Sequence, residues 1–202
     1  AVSVPPSTIN ERLSWLPDCR IIRSIVDGVD MVDRRTYAFE GTQPTIDETA
    51  RVSREATLVG DVDIGADASV WPGVVLRGDV GPVRIGRETH VGDNATIHAS
   101  QLGEQVMVGH GAILNETTVE DRALVGFNAT TNSDVTIGSG SIVAAGTVVP
   151  DGYDIPPESF VRGVPAEITP LEKTGIDAEA ILEEYTSGEY TDLAKRHEEL
   201  FE

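Results

Sequence analysis

Four histidines occur in the 202-residue chain, and two of them, His98 and His110, stand twelve positions apart. His98 lies in the run NATIHAS; His110 sits between two glycines in VGHGAILNE, with Asn115 five positions further on. Imidazole is a common transition-metal ligand and a common general base, so such a pair can hold a metal or move protons. Arg77, Asp79 and Asp93 supply charged groups that could orient it. Whether these side chains meet depends on the elements that carry them.

Those elements are written in a repeat. From Ile46, aliphatic residues recur at every sixth position through Val52, Leu58, Ile64, Val70 and Leu76. The register resumes at Ile85, Val91 and Ile97, again at Leu102, Val108 and Leu114, and then runs from Val119 to Val161. Four positions beyond the aliphatics come small or β-branched residues such as Ala56, Ala68, Ala95, Ala112 and Ala129. Period six fits neither an alternating strand nor a helix of 3.6 residues per turn. It fits a solenoid of short strands, three to a triangular coil of about 18 residues, with the aliphatics stacked inside. The expected fold is mainly β: a parallel β-helix of hexapeptide repeats with a C-terminal α-helix. The expected organisation is an N-terminal extension over 1–45, the β-helix over 46–166 and a helical segment over 167–202.

The register also predicts contacts. Positions three hexapeptides apart stack at about 4.8 Å. Leu76, Ile97 and Leu114 then share a column, which stacks Arg77, His98 and Asn115 beside it. A second column holds Val91 and Val108 and sets Asp93 beside His110. His98 and His110, two sides of the triangle apart, do not chelate one ion within a chain. In a threefold trimer the Arg77/His98/Asn115 edge of one subunit could face the Asp93/His110 edge of the next. His90 is expected at a corner, outside both columns. His197 belongs to an apolar stripe with Tyr190, Leu193, Ala194, Leu200 and Phe201, which makes it a packing residue; Ser187-Gly188 is a candidate break in that helix. Thr8-x-x-Glu11 could cap a short helix before Pro17.

Composition removes several function classes. With 34 acidic residues against 15 basic, the net charge is −19, which opposes binding to nucleic acid or an anionic membrane. Only Lys173 and Lys195 are lysines, and abundant Asp and Glu with scarce Lys suit a protein soluble in high salt, hence a halophilic source. No apolar run approaches the roughly 18 residues of a membrane span. The first residues lack a signal-peptide pattern, so a cytoplasmic location is expected. The single cysteine, Cys19, allows no internal disulfide.

The runs LRGDVGPVRIG (76–86), THVGDNATIH (89–98), GHGAIL (109–114) and the late GVPA resemble the γ-class carbonic anhydrases and their homologues over residues 40 to 200. The resemblance implies a left-handed β-helix, against the usual right-handed crossover rule. It further implies a homotrimer with a divalent metal, zinc or another ion such as iron or cobalt, held between subunits by three histidines. His98 and His110 match two of them; the third position is Asn115, whose neutral amide is a weaker ligand. Arg77 and Asp79 match residues that pair across the interface, and Asp93 matches the acidic residue near the site. Several positions depart from the family. His90 stands where asparagine is usual, Gly92 where glutamine is usual, and Val80 replaces an acidic residue. The acidic loop after the first histidine is missing, since only ASQ separates His98 from Leu102.

Three functions are compatible with this pattern. One is reversible hydration of CO2 to bicarbonate, a lyase reaction, with His98, His110 and Asn115 as ligands, Asp93 as a positioning group and Arg77 and Asp79 as anchors. Another is a non-catalytic scaffold subunit. The last is acyl transfer from coenzyme A with a histidine base, although the only visible insertion, three residues between Leu76 and Ile85, builds no acceptor pocket. On the hydratase reading, Asn115→His should restore a three-nitrogen site and Gly92→Gln should add to it.

Overall fold

The computed structural model describes residues 35–186 and 189–201, which fall in one compact unit. The Thr8–Glu11 capping motif and Cys19 lie outside the described residues. The chain winds into a left-handed parallel β-helix of about seven turns with three flat faces. The first face carries strands such as 75–77, Thr96–His98 and Ile113–Asn115; the second carries 83–85, Gln101–Leu102 and Thr117–Val119; the third carries His90–Val91 and Met107–Val108. Segments Thr57–Ile64 and Val75–Ile85 run unbroken around one corner, so the first two faces form a single 12-stranded sheet.

The period-six aliphatics fill the interior. Leu58, Leu76, Ile97 and Leu114 are at most 1% exposed and stack on the first face. Val70, Val91, Val108, Val125 and Val143 do the same on the third. Each such side chain contributes about 1.5–3 kcal/mol of burial, and truncating one with both neighbours in place, as in Ile97→Ala, costs about 2–5 kcal/mol. The small residues four positions on, among them Ala95, Ala112 and Ala129, are fully buried at the corners. One corner turns on left-handed residues coil after coil: Asn94 (φ 60°), Gly111 (φ 70°), Asn128 (φ 55°) and Gly146 (φ 70°). Glycine and asparagine are the residues that take this conformation at least cost, which explains the glycine after His110.

The three-residue insertion is an excursion between Gly78, which pairs with Gly60, and Val83, which pairs with Val62. It carries Asp79 out at the corner beside Arg77. Pairing extends past both expected limits of the repeat. Arg35–Tyr37 adds in parallel to 57–59, ahead of residue 46, and Glu167–Pro170 adds antiparallel to Ser159–Arg162, beyond 166. All three residues of Arg35–Tyr37 are exposed, so no inward aliphatic announces that strand.

After a 3-10 helix at Leu171–Lys173, the described residues of the C-terminal segment form α1 (Ala178–Thr186), α2 (Glu189–Arg196) and α3 (Glu198–Phe201). The expected break at Ser187-Gly188 lies outside the described residues; α2 and α3 are separated at His197. Leu182 of α1 packs with Ile142 and Leu171, while Ala194 and Phe201 pack on Trp71, all on the outside of the third face. Of the apolar stripe, Leu193, Ala194 and Phe201 do the packing; Leu200 is 38% exposed, and the Tyr190 side chain lies outside the described residues. No described helix is long and apolar enough to cross a membrane.

Candidate functional site

The strand register brings Arg77, His98 and Asn115 side by side on consecutive coils, as the spacing required. The Arg77 guanidinium donates to one oxygen of Asp79, Oδ2, from Nη2 at 2.7 Å and from Nε at 3.2 Å. This pair, more than anything else, holds the Asp79 carboxyl below the ordinary carboxylate range, so it is ionised near neutral pH. The other oxygen, Oδ1, faces His98 Nε2 at 3.2 Å. On the far side of the ring, His98 Nδ1 lies 2.8 Å from Asn115 Oδ1. The Asn115 amide nitrogen donates to Ser133 Oγ at 2.9 Å, and the Ser133 N–H donates to Asp151 at 3.0 Å. A polar line thus crosses successive coils from Asp79 to Asp151.

The second cluster forms at the opposite end of the first face, where the chain enters from Met107–Val108. Asp93 offers His110 Nδ1 both an acceptor, Oδ2 at 2.8 Å, and a donor, its own N–H at 3.0 Å. The ring is therefore held in either tautomer; with the proton on Nδ1, Nε2 keeps its lone pair. Phe127, one coil further on, stacks on the imidazole with centroids 5.1 Å apart and planes within 6°. Gly92 closes the third side. A Cβ there would lie 2.8 Å from His110 Nδ1 and 3.0 Å from Val108 O, so glycine is what lets the ring sit this low. The expected benefit of Gly92→Gln has no room in this arrangement.

His90 is not at a corner. It occupies strand His90–Val91, pairs with Ser69 and Met107 on the third face, and is 4% exposed. Its Nδ1 is 3.0 Å from Ser69 Oγ and its ring lies against Trp71. Burial, with a smaller effect from the charge of His110, lowers its pKa from 6.5 to about 3. His90 is a neutral packing histidine under the C-terminal helices. His197 meets the edge of Trp71 at 5.8 Å, although it is itself exposed.

The donor chemistry can be judged atom by atom. His98 Nε2 and His110 Nε2 are imidazole nitrogens that suit a divalent transition metal, and each ring is oriented from behind as metal-binding histidines usually are. Asn115 fits poorly: its oxygen is a neutral donor and is already engaged with His98. Among the described residues of one chain, no three His, Cys, Asp or Glu side chains converge as a metal site. Phe127 and Ser133 were missed from the sequence. Their signal was present, because each lies about one coil beyond the residue it touches.

Residues 116–150 match a family model described as the hexapeptide repeat of succinyl-transferase. Gamma carbonic anhydrase 1 of Arabidopsis thaliana, a mitochondrial protein, is 34% identical over 165 residues, covering 76% of this chain; the chain spans only 59% of that relative's length. Carnitine operon protein CaiE of Escherichia coli is also 34% identical over 165 residues, 79% of this chain and 83% of its own. A hexapeptide transferase family protein from Anaplasma phagocytophilum superposes with a TM-score of 0.76 at 30% identity, covering 81% of this chain and 98% of that one.

Proposed function

We propose a function from one premise: the chain belongs to the hexapeptide-repeat family that includes the γ-class carbonic anhydrases. The function is reversible hydration of CO2 to bicarbonate by a homotrimer, at a site shared between subunits. One observation carries this reading: His98 and His110 sit at opposite ends of a single face, each oriented from behind by a hydrogen-bonding partner. A threefold arrangement can bring one corner against the other. Ile113 and Phe127, exposed apolar residues at 45% and 47%, lie along the edge that such an arrangement would cover.

A divalent ion such as zinc, iron or cobalt, held through His98 and His110, would supply Lewis-acid activation of water. The chain's own groups do the rest. Asp93 fixes the His110 ring and Asn115 fixes the His98 ring. Arg77 keeps Asp79 ionised, with its Oδ1 turned toward His98. Further out the path is bare: Val80 is 71% exposed where the family carries an acid, so protons pass directly to buffer. Turnover should therefore depend on buffer concentration.

Acyl transfer is the second reading, favoured by the contact of His98 with Asp79, which could serve as a base and its partner, and by the likeness to a hexapeptide transferase family protein. The two readings separate experimentally. Zinc per chain, CO2 hydration by stopped flow and acetyl-coenzyme A binding would be measured on the purified protein and on Asn115→His. The hydratase reading expects bound metal, measurable hydration, and a gain in both on installing the histidine. A metal-free, inactive parent that gains no zinc in the variant would remove it and leave a scaffold. Acetyl-coenzyme A binding without hydration would favour the transferase.

A further inference from the structure

We propose that the third protein donor at the shared site is the Asp79 carboxylate, with Asn115 a positioning residue for His98; this rests on the metal reading above. The argument begins at the amide. Asn115 Nδ2 lies 2.9 Å from Ser133 Oγ and 3.5 Å from Glu116 Oε2. A carboxylate only accepts hydrogen bonds, so the amide nitrogen belongs on that side and the amide oxygen faces His98. The oxygen, 2.8 Å from Nδ1, then requires the His98 proton on Nδ1. In the neutral ring, Nε2 carries a lone pair, and that lone pair points at Asp79 Oδ1 from 3.2 Å.

His98 Nε2 and Asp79 Oδ1 thus turn toward a common point that one proton or one metal ion can occupy. Zinc donors at about 2.0–2.2 Å in a tetrahedral arrangement are about 3.3–3.5 Å apart, close to the separation found here. The carboxylate is divided to match: Arg77 occupies Oδ2 and leaves Oδ1 toward the histidine. The His98 and Asp79 side chains are 23% and 19% exposed, sheltered but not closed to solvent. The donor set becomes two imidazoles and one carboxylate, a combination that binds zinc and other divalent transition metals.

Cobalt(II), whose visible spectrum reports its donor atoms, is the probe, together with zinc competition against a chromophoric chelator. The full chain is compared with Asp79→Asn, Arg77→Gln and Asn115→Leu. Asp79→Asn should lose the parent's cobalt bands or shift them. Arg77→Gln, which breaks the ion pair but keeps the carboxylate, should retain them. Asn115→Leu should keep the band positions while zinc affinity falls about 10–100-fold, as loss of a ligand's orienting partner does. Parent bands and affinity in Asp79→Asn, or equal loss in Arg77→Gln, would overturn the assignment while leaving the metal reading intact. A parent that takes up neither cobalt nor zinc would overturn both. Should Asp79→Asn fail to assemble, Asn115→Leu decides alone, because a band shift there would make Asn115 a donor.

Discussion

His110 is held by three residues that the linear sequence scatters: Gly92 below it, Asp93 behind it and Phe127 across its face. Gly92→Ala places a methyl group 2.8 Å from Nδ1, so the ring must leave its seat. Overpacking of this kind costs about 1–3 kcal/mol, which urea unfolding would measure; loss of the Phe127 ring-current shift on the His110 ring protons should accompany it. Unchanged His110 resonances would count against the close seat. His90 makes a different prediction. Its pKa is near 6.5 in the unfolded chain and about 3 in the folded one, so the native state binds its proton less readily. Its contribution is complete above about pH 6.5 and is lost as pH falls from there toward 3, by about 2 kcal/mol at pH 5. The difference in unfolding free energy between pH 7 and pH 5 should shrink by that amount in His90→Leu; an equal difference in both proteins would contradict the burial. Coil spacing made Arg77 and Asn115 legible as neighbours of His98, and Asp93 as the neighbour of His110. The tautomer of His98 was not, because it depends on which way one amide faces, and the burial of His90 was not, because the helices that cover it come some hundred residues later.

Most of the strands have two or three residues, too few to show alternation, so the solenoid was legible through its period of six. That period located the stacked columns and failed where no aliphatic points inward, at Arg35–Tyr37 and Glu167–Pro170. It also could not say which face the C-terminal segment covers. The contacts of Phe201 and Ala194 with Trp71 answer that: α2 and α3 close the outside of the third face. Phe201 meets the Trp71 ring edge-on at 5.5 Å, a geometry worth about 0.5–1.5 kcal/mol beyond burial. Phe201→Ala should loosen α3, let water reach Trp71 and redden its emission. A Trp15→Phe background leaves Trp71 as the sole reporter, since the chain has two tryptophans. Emission unmoved by the substitution would mean that the helices do not depend on this contact. Because α3 spans only Glu198–Phe201, its stability comes from packing and not from its own hydrogen bonds.

At the scale of the molecule the dominant fact is charge. Fifteen bases cannot match 34 acids, and exposed pairs such as Arg84–Asp61 and Arg87–Glu104 add at most about 1 kcal/mol each. A net charge of −19 per chain makes every like subunit a repelling partner. The range of that repulsion is set by salt: the Debye length is about 30 Å at 0.01 M and about 3 Å at 1 M. At low salt the fields of neighbouring chains overlap across a whole subunit, whereas at molar salt only groups in direct contact still interact. Arg77–Asp79 is such a contact pair within each chain, so it persists when the long-range repulsion is screened. Association should therefore strengthen as salt rises, opposite to an assembly held by attraction between exposed charges. Sedimentation at 0.01 M and 1 M salt, with thermal melts in the same buffers, tests this directly. A trimer that persists at high salt and loosens at low salt, with a lower melting temperature, is the expected result. Equal melting temperatures would remove the case for a halophilic source, and a trimer that falls apart as salt rises would show that its subunits are held by long-range attraction, against the sign of every chain's charge.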